Sequence, residues 1–409
     1  MQKRRLFIGL GILVLCILML TVVACSNGPN SRPGGSGSNV TIPDPNENGI
    51  VTAKQWAEIH PDIYASYMEN LKNDQMPSYL LQFPYLVTLY DGMGFAKDYN
   101  EARSHLYTLQ DVAETARPHA LANCLSCKSP ELTVMVNTSG DSIYATDFAE
   151  IYGKISEPVS CYSCHANTNG DIVLSSKFLI NALGADASKV NSNILACGQC
   201  HNEYYFDPDS KAVTLPWNGI DKMRPDDILA YYNSIKFVDF TNSISNTGMI
   251  KIQHPEMETV LGQGNKMQIM GGLTCSDCHM GIATNTAGDS YISHNWQSPL
   301  ENQALIDSKC SQCHNNLAKT VGDIQSEITA RETVVGQKIA SLHQAIGKAA
   351  ADGSKTDTEL AELRSLLRDS QFYWDFCFVE NSEGAHNSAF ARNLLDKAEG
   401  LVDQALAKF

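Results

Sequence analysis

Positive charge is scarce in this chain. Its 409 residues carry 30 Lys and Arg against 45 Asp and Glu, a formal net charge of −15. So acidic a surface excludes nucleic acid as a partner. It also repels small anions unless positive groups are placed locally to receive them. Long apolar runs are almost absent too, and Leu6 to Val23 is the exception. Between residues 50 and 316 the apolar periodicity is short and broken by Gly, Pro and Asn. That pattern predicts short helices and loops with little sheet.

What the chain does have is cysteine, in a fixed context. Ten of its 13 cysteines fall in five Cys-x-x-Cys units, each followed at once by a basic residue. These are Cys124–Cys127 with Lys128, Cys161–Cys164 with His165, Cys197–Cys200 with His201, Cys275–Cys278 with His279, and Cys310–Cys313 with His314. Zinc ribbons and disulfide frameworks need no histidine after each pair. A c-type haem does: two thiols bond the porphyrin edge and the next side chain reaches the iron. Five covalent c-type haems are therefore expected, packed as the core of a mainly α multihaem cytochrome c. Roughly 70 residues per haem is about half an ordinary domain, so porphyrin packing replaces side-chain packing.

The ends differ from the middle. Residues 1–24 read as a lipoprotein signal, with Lys3, Arg4 and Arg5 ahead of the apolar run and Val22-Val23-Ala24-Cys25 as a lipobox. Cys25 would be lipidated and become the mature N-terminus; an uncleaved anchor is the alternative. Either way the protein lies outside the cytoplasm and tethered to a bacterial membrane, where c-type haems are attached. Removing residues 1–24 takes away three positive charges and no acids, moving the net charge from −15 to about −18. Residues 25–49, rich in Ser, Asn, Gly and Pro, form a flexible tether. Residues 50–316 are the haem-bearing region, and 317–409 a long-helix region in one compact domain with it. There Val321, Ile324, Ile328, Val335, Ile339, Leu342 and Ile346 keep helical spacing until Gly353. A second helix opens at Thr356 or Asp357, and a third runs from about Ser388 to Ala407. These helices form either a cap on the haem region or a dimer interface.

One motif is chemically unlike the rest. Neutralising a lysine at pH 7 costs about 3.4 pKa units, roughly 4.6 kcal/mol. A chain that accepts this cost at Lys128 and not at four other motifs gains a special iron; the alternative is an exposed Lys128 and a remote ligand. Four of the 11 histidines are proximal, leaving His60, His105, His119, His254, His294, His343 and His386. Four closed relay haems need four more ligands, and the Lys128 iron keeps a vacant side for substrate.

With these residues in place, the chain from about His60 onwards resembles the ammonia-forming cytochrome c nitrite reductases, the pentahaem cytochrome c552 family. The likeness rests on the lysine motif, His60-Pro61-Asp62, Glu203-Tyr204-Tyr205-Phe206 after the third motif, Lys251-Ile252-Gln253-His254-Pro255-Glu256, and Cys275-Ser-Asp-Cys-His-Met280. It implies six-electron reduction of nitrite to ammonium at a haem ligated by Lys128, with Arg117, Tyr204 and His254 in the substrate pocket. His254 is the expected proton donor, since its ordinary pKa is near neutral. The resemblance further implies one Ca²⁺ held by Glu203, the Tyr204 and Lys251 carbonyls and Gln253, oxygen ligands that suit it. His294, His105 and His386 become the distal ligands of the second, third and fourth haems. A homodimer is implied, with electrons from a membrane quinol-oxidising cytochrome c or another small multihaem donor. The chain departs from the family at one point: no histidine lies between His254 and Cys275. Met267, ahead of Met270, is the expected sixth ligand of the fifth haem. His119 reads as a group beside the pocket, and His343 and Cys377 as packed residues. Competing readings are an electron conduit without chemistry, or reduction of hydroxylamine or sulfite at the same site.

Overall fold

The computed structural model describes residues 40–262 and 272–409. Cys25, Met267 and Met270 lie outside the described residues. The described chain is mostly helical, and its strands form three two-stranded antiparallel hairpins. These are β1 (Tyr205–Phe206) with β2 (Val213–Thr214), β3 (Phe240–Asn242) with β4 (Thr247–Met249), and β5 (Ile282–Thr284) with β6 (Ser290–Ile292).

The histidine motifs close single turns. Helix α1 is Cys161–His165, and at its start the Ser160 N–H donates to Ser163 Oγ at 3.2 Å. Helix α2, Ser192–Gly198, runs into the third motif, where the His201 N–H donates to the Cys197 carbonyl at 2.9 Å. Helix α3 is Glu256–Leu261. Helix α4, Cys275–His279, is capped by Thr274 with Asp277. The fifth motif is a 3₁₀ turn in which the His314 N–H donates to the Cys310 carbonyl at 2.9 Å.

Three long helices follow. Helix α5 (Leu317–Asp352, 36 residues) ends at Gly353, whose φ of 69° supplies the left-handed stop that glycine takes without strain. Helix α6 (Asp357–Phe378) starts at Thr356, which shares a capping box with Glu359. Helix α7 is Ser388–Leu406. Their apolar faces, including Ile339, Leu342, Leu363, Leu367, Leu395 and Val402, are buried against one another. Each such side chain contributes about 1.5–3 kcal/mol. The same buried cluster continues through Leu86, Tyr90, Met223 and Ile250, so the long helices share a core with the motif-bearing region. Close approach is needed at Gly336, where a Cβ would sit 2.4 Å from the Tyr85 ring. A second, smaller cluster around Leu125, Leu132 and Ile151 backs the lysine motif. No helix among the described residues is long and apolar enough to cross a membrane.

His343, on α5, is packed as expected. It is fully buried, with Nδ1 2.9 Å from Ser245 Oγ and Nε2 2.9 Å from Gln371 Oε1. Burial pushes it down to about 4, and the Gln371 contact offsets this only in part. Since the folded value lies below the unfolded 6.5, its neutral state stabilises the fold above pH 6.5. That contribution is lost as pH falls towards 4, about 3 kcal/mol over the interval. Denaturant melts of the holoprotein at pH 7 and 4.5 check this. His343→Gln should lose less stability on acidification than wild type, and an equal loss in both would exclude His343 as a source.

Candidate functional site

The five motifs lie in a spatial order that differs from their order in sequence. The Cys127 and Cys200 thiols are hydrogen-bonded, placing the first motif beside the third. The Cys275 thiol is hydrogen-bonded to that of Cys197, placing the fourth beside the third. Cys310 acts electrostatically on Cys278, so the fifth lies beyond the fourth. All ten motif thiols are free, none of them paired in a disulfide.

Three remote histidines face the proximal ones assigned to them. Ring centroids are 6.2 Å apart for His165 and His294, 6.1 Å for His105 and His201, and 6.0 Å for His279 and His386. Two imidazoles sharing one metal, each bonded at about 2 Å, sit at this separation. Burial pushes His105 down to about 3 and His294 to about 4. Both rings are thus neutral at pH 7, as a ligand must be. His314 is exposed and faces no second histidine among the described residues.

The lysine motif is built differently from the other four. A 3₁₀ turn covers Ala122–Leu125, Ser126 is extended, and Cys127 has φ 59°. That left-handed conformation costs a non-glycine residue roughly 1–2 kcal/mol. The Lys128 N–H donates to the Leu125 carbonyl at 3.0 Å instead of to the first cysteine. Thr108 Oγ1 donates to the carbonyls of Lys128 (2.9 Å) and His105 (3.0 Å). Lys128 is half-buried, and its ammonium has no hydrogen-bond or ion-pair partner among the described residues. Its charge acts on Cys127, His105 and His254.

Arg117, Tyr204 and His254 come together beside this motif. Arg117 donates through Nε to Thr115 Oγ1 (3.0 Å) and lies over the Phe95 ring at 4.5 Å. Its guanidinium acts on both Tyr204 and Cys124. Burial raises the Tyr204 phenol, so it keeps its proton. His254 has a buried Nδ1 with no partner, and its ring centroid is 6.0 Å from that of His201. Burial pushes His254 down to about 4; Glu256 opposes this, while the charges of His201, Lys128 and Lys251 add to it. The neutral ring at pH 7 modifies the expectation of a ready proton donor: His254 offers an N–H to hydrogen-bond an anion. His119 is half-buried, with Nδ1 2.8 Å from the Arg117 carbonyl and its ring edge-on to Phe148.

Behind the pocket, Glu203 is fully buried and accepts from the Gln253 N–H (2.7 Å) and Tyr232 OH (2.8 Å). Gln253 Nε2 donates to the Lys251 carbonyl at 3.0 Å, so the four residues expected at a cation site are neighbours. Glu258, which sequence reasoning missed, accepts from the Glu203 N–H (3.0 Å) and Trp217 Nε1 (2.7 Å), leaving its Oε2 buried and unpartnered. Burial pushes Glu203 well above the carboxylate range and Glu258 to about 8. Two buried carboxyls held up together fit a cation bound nearby. No group of three or more His, Cys, Asp or Glu among the described residues forms a metal site, so the donors here are mainly carbonyl and amide oxygens. Sequence reasoning also missed Asp375, on α6. It accepts from Lys251 Nζ (3.1 Å), Tyr90 OH (2.5 Å) and the Ile252 N–H (2.9 Å).

Short cysteine turns that place paired histidines on a shared axis, under a cover of long helices, define a multihaem c-type cytochrome. The cytochrome c552 family profile matches residues 52–409. The chain belongs to the cytochrome c552 family. Its structure is similar to NrfA, the catalytic subunit of cytochrome c nitrite reductase from Desulfovibrio desulfuricans, with a TM-score of 0.78 at 26% identity. That match covers 88% of this chain and 86% of that one, and the other protein has two calcium sites. The outer cell wall cytochrome OcwA matches at TM-score 0.40 and 18% identity, over 80% of this chain and 51% of its own. An undecahaem cytochrome from the S-layer of Carboxydothermus ferrireducens matches at 0.38 and 15%, over 75% and 41%. At those scores neither bears on the function of this chain.

Proposed function

We propose that this chain reduces nitrite to ammonium by six electrons, at a haem attached through Cys124 and Cys127 and ligated by Lys128. The observation that carries the reading is the half-buried, unpartnered Lys128 ammonium beside Arg117, Tyr204 and His254. Four relay haems, on the His165, His201, His279 and His314 motifs, supply the electrons. Distal ligands are His294, His105 and His386 for the first three of these and Met267 or Met270 for the last. Family membership and the likeness to a nitrite reductase support the substrate.

Bound here, the haem would supply an iron able to bind nitrite and to pass electrons to it. The residues do the rest. Lys128 must lose its proton to ligate, and the metal's charge offsets that cost. Arg117 places fixed positive charge against the nitrite oxygens in an otherwise acidic protein. His254 and Tyr204 would offer N–H and O–H donors to nitrite, preorganised before substrate arrives. His254→Asn should lower kcat/KM for nitrite about a hundredfold with all haems still attached. An unchanged value in a viologen-coupled assay would remove His254 from the mechanism.

Glu203, the Tyr204 and Lys251 carbonyls and Gln253 hold one Ca²⁺ in this reading. The ion pins together the segments that carry Tyr204 and His254. Chelation should cut turnover at least tenfold and lower the thermal midpoint. Ca²⁺ should restore both and Mg²⁺ neither, because Mg²⁺ demands a tighter octahedron. Indifference to chelation in a sample shown to be calcium-free would contradict this assignment. The mature protein begins at lipidated Cys25 and works outside the cytoplasm on a membrane-bound tether. It pairs as a homodimer through the long helices, and receives electrons from a quinol-oxidising cytochrome c or a small multihaem donor.

A further inference from the structure

The imidazoles that bracket the relay haems are not held alike. Their Nδ1 atoms face the Asp171 carbonyl at His165, the Ile292 carbonyl at His294 and the Gln297 carbonyl at His279, each at 3.0 Å. These are neutral acceptors. At His201 the nearest acid is Glu256 Oε2, at 3.5 Å, too long for a strong hydrogen bond. His386 alone meets a carboxylate at short range: its Nδ1 is 2.6 Å from Glu380 Oε1.

The contact is built, not incidental. Glu380 is 5% exposed, and its second oxygen accepts from Ser382 Oγ at 2.5 Å. The same Ser382 hydroxyl accepts from the His386 backbone N–H at 2.9 Å, closing a ring of three residues between α6 and α7. Next to it, Asn381 holds Glu256 through its backbone N–H (3.2 Å) and Nδ2 (2.6 Å). One short loop therefore sets acids behind a histidine of the third motif and a histidine facing the fourth.

A ferric haem carries one more positive charge than a ferrous one. A buried carboxylate on the outer nitrogen of an axial histidine draws that proton towards itself and gives the ring imidazolate character. This stabilises the oxidised state. Charge-assisted hydrogen bonds are about twice as strong as neutral ones, so the effect singles out one haem. We infer that Glu380 is a positioning and tuning residue that lowers the potential of the haem shared by His279 and His386. This rests on the ligation reading above. In the spatial order of the motifs that haem stands between the third and the fifth. It serves as a transit step, and electrons rest on its neighbours.

Spectropotentiometry of the holoenzyme tests this. In Glu380→Gln the neutral amide still accepts from His386. One bis-histidine haem should show about a tenfold higher reduced-to-oxidised ratio at fixed electrode potential, a 59 mV rise for one electron. The other low-spin haems should stay in place. Ser382→Ala takes a donor away from the carboxylate, so the same haem should move the opposite way. His386→Ala is the control for ligation and should remove one bis-histidine signature. If it does so while Glu380→Gln moves no potential, tuning is wrong and ligation stands. If both loop variants shift the same haem in the same direction, Glu380 acts only structurally and the inference fails. If His386→Ala leaves every bis-histidine signature intact, the ligation reading falls and takes the inference with it.

Discussion

Replacing Lys128 by histidine is expected to lower nitrite turnover about a thousandfold while every haem remains covalently attached. Axial-ligand identity spans a range of about 0.8 V in haem potential. Three orders of magnitude in a one-electron equilibrium correspond to roughly 0.18 V of that range. The local backbone adds to the effect. In the other four motifs the residue after the second cysteine follows a turn closed onto the first cysteine. At Lys128 the left-handed Cys127 and the bond to Leu125 present the side chain from a different position. A histidine here is both shorter and wrongly aimed. Viologen-coupled turnover with a haem-content assay checks the result. Wild-type rates in a fully haem-loaded Lys128→His protein would mean that reactivity does not come from the amine ligand.

Asp375→Asn is expected to cost about 3–5 kcal/mol, the penalty for stranding a buried charge. Asp375 is fully buried and Lys251 nearly so. Burial pushes Asp375 up and Lys251 down, and each partly offsets the shift in the other. The Lys251 ammonium also lies 5.1–5.6 Å from the Tyr90, Phe95 and Tyr99 rings. Asparagine keeps the shape of the site: its one oxygen can accept from the Ile252 N–H while its amide donates to the Tyr90 hydroxyl, so the loss reports charge and not volume. Because Lys251 precedes Ile252-Gln253-His254, the variant should also loosen the pocket and raise KM for nitrite. Chemical denaturation of the holoprotein gives the stability term, and a change under 1 kcal/mol would show that the pair contributes no more than a surface one.

What could be read from the sequence was local. Cys-x-x-Cys followed by a ligand is a five-residue signal, and each motif lies on a turn that presents it. Thr356 and Gly353 bound their helices because capping is decided within a few residues. Distal histidines carry no such signal. His105, His294 and His386 could be named only through a family resemblance, and the structure sets each beside its assigned partner. Nothing in the sequence marks Glu258, Asp375 or Glu380, because each acts on a residue brought close by tertiary packing. Asp375 reaches Lys251 across 124 positions. The left-handed Cys127 is similarly silent in one-letter code. His254 shows the limit of reasoning from ordinary pKa values: its residue type suggests a proton donor, and its burial makes it a neutral hydrogen-bond donor.

Anaerobic turnover with reduced viologen and limiting nitrite, with ammonium quantified, decides whether this chain carries nitrite all the way to ammonium. One ammonium for each nitrite consumed and six electrons drawn from the dye are expected. Nitrite left untouched by a fully haem-loaded protein, or one electron per nitrite with nitric oxide as the product, would contradict the six-electron reading.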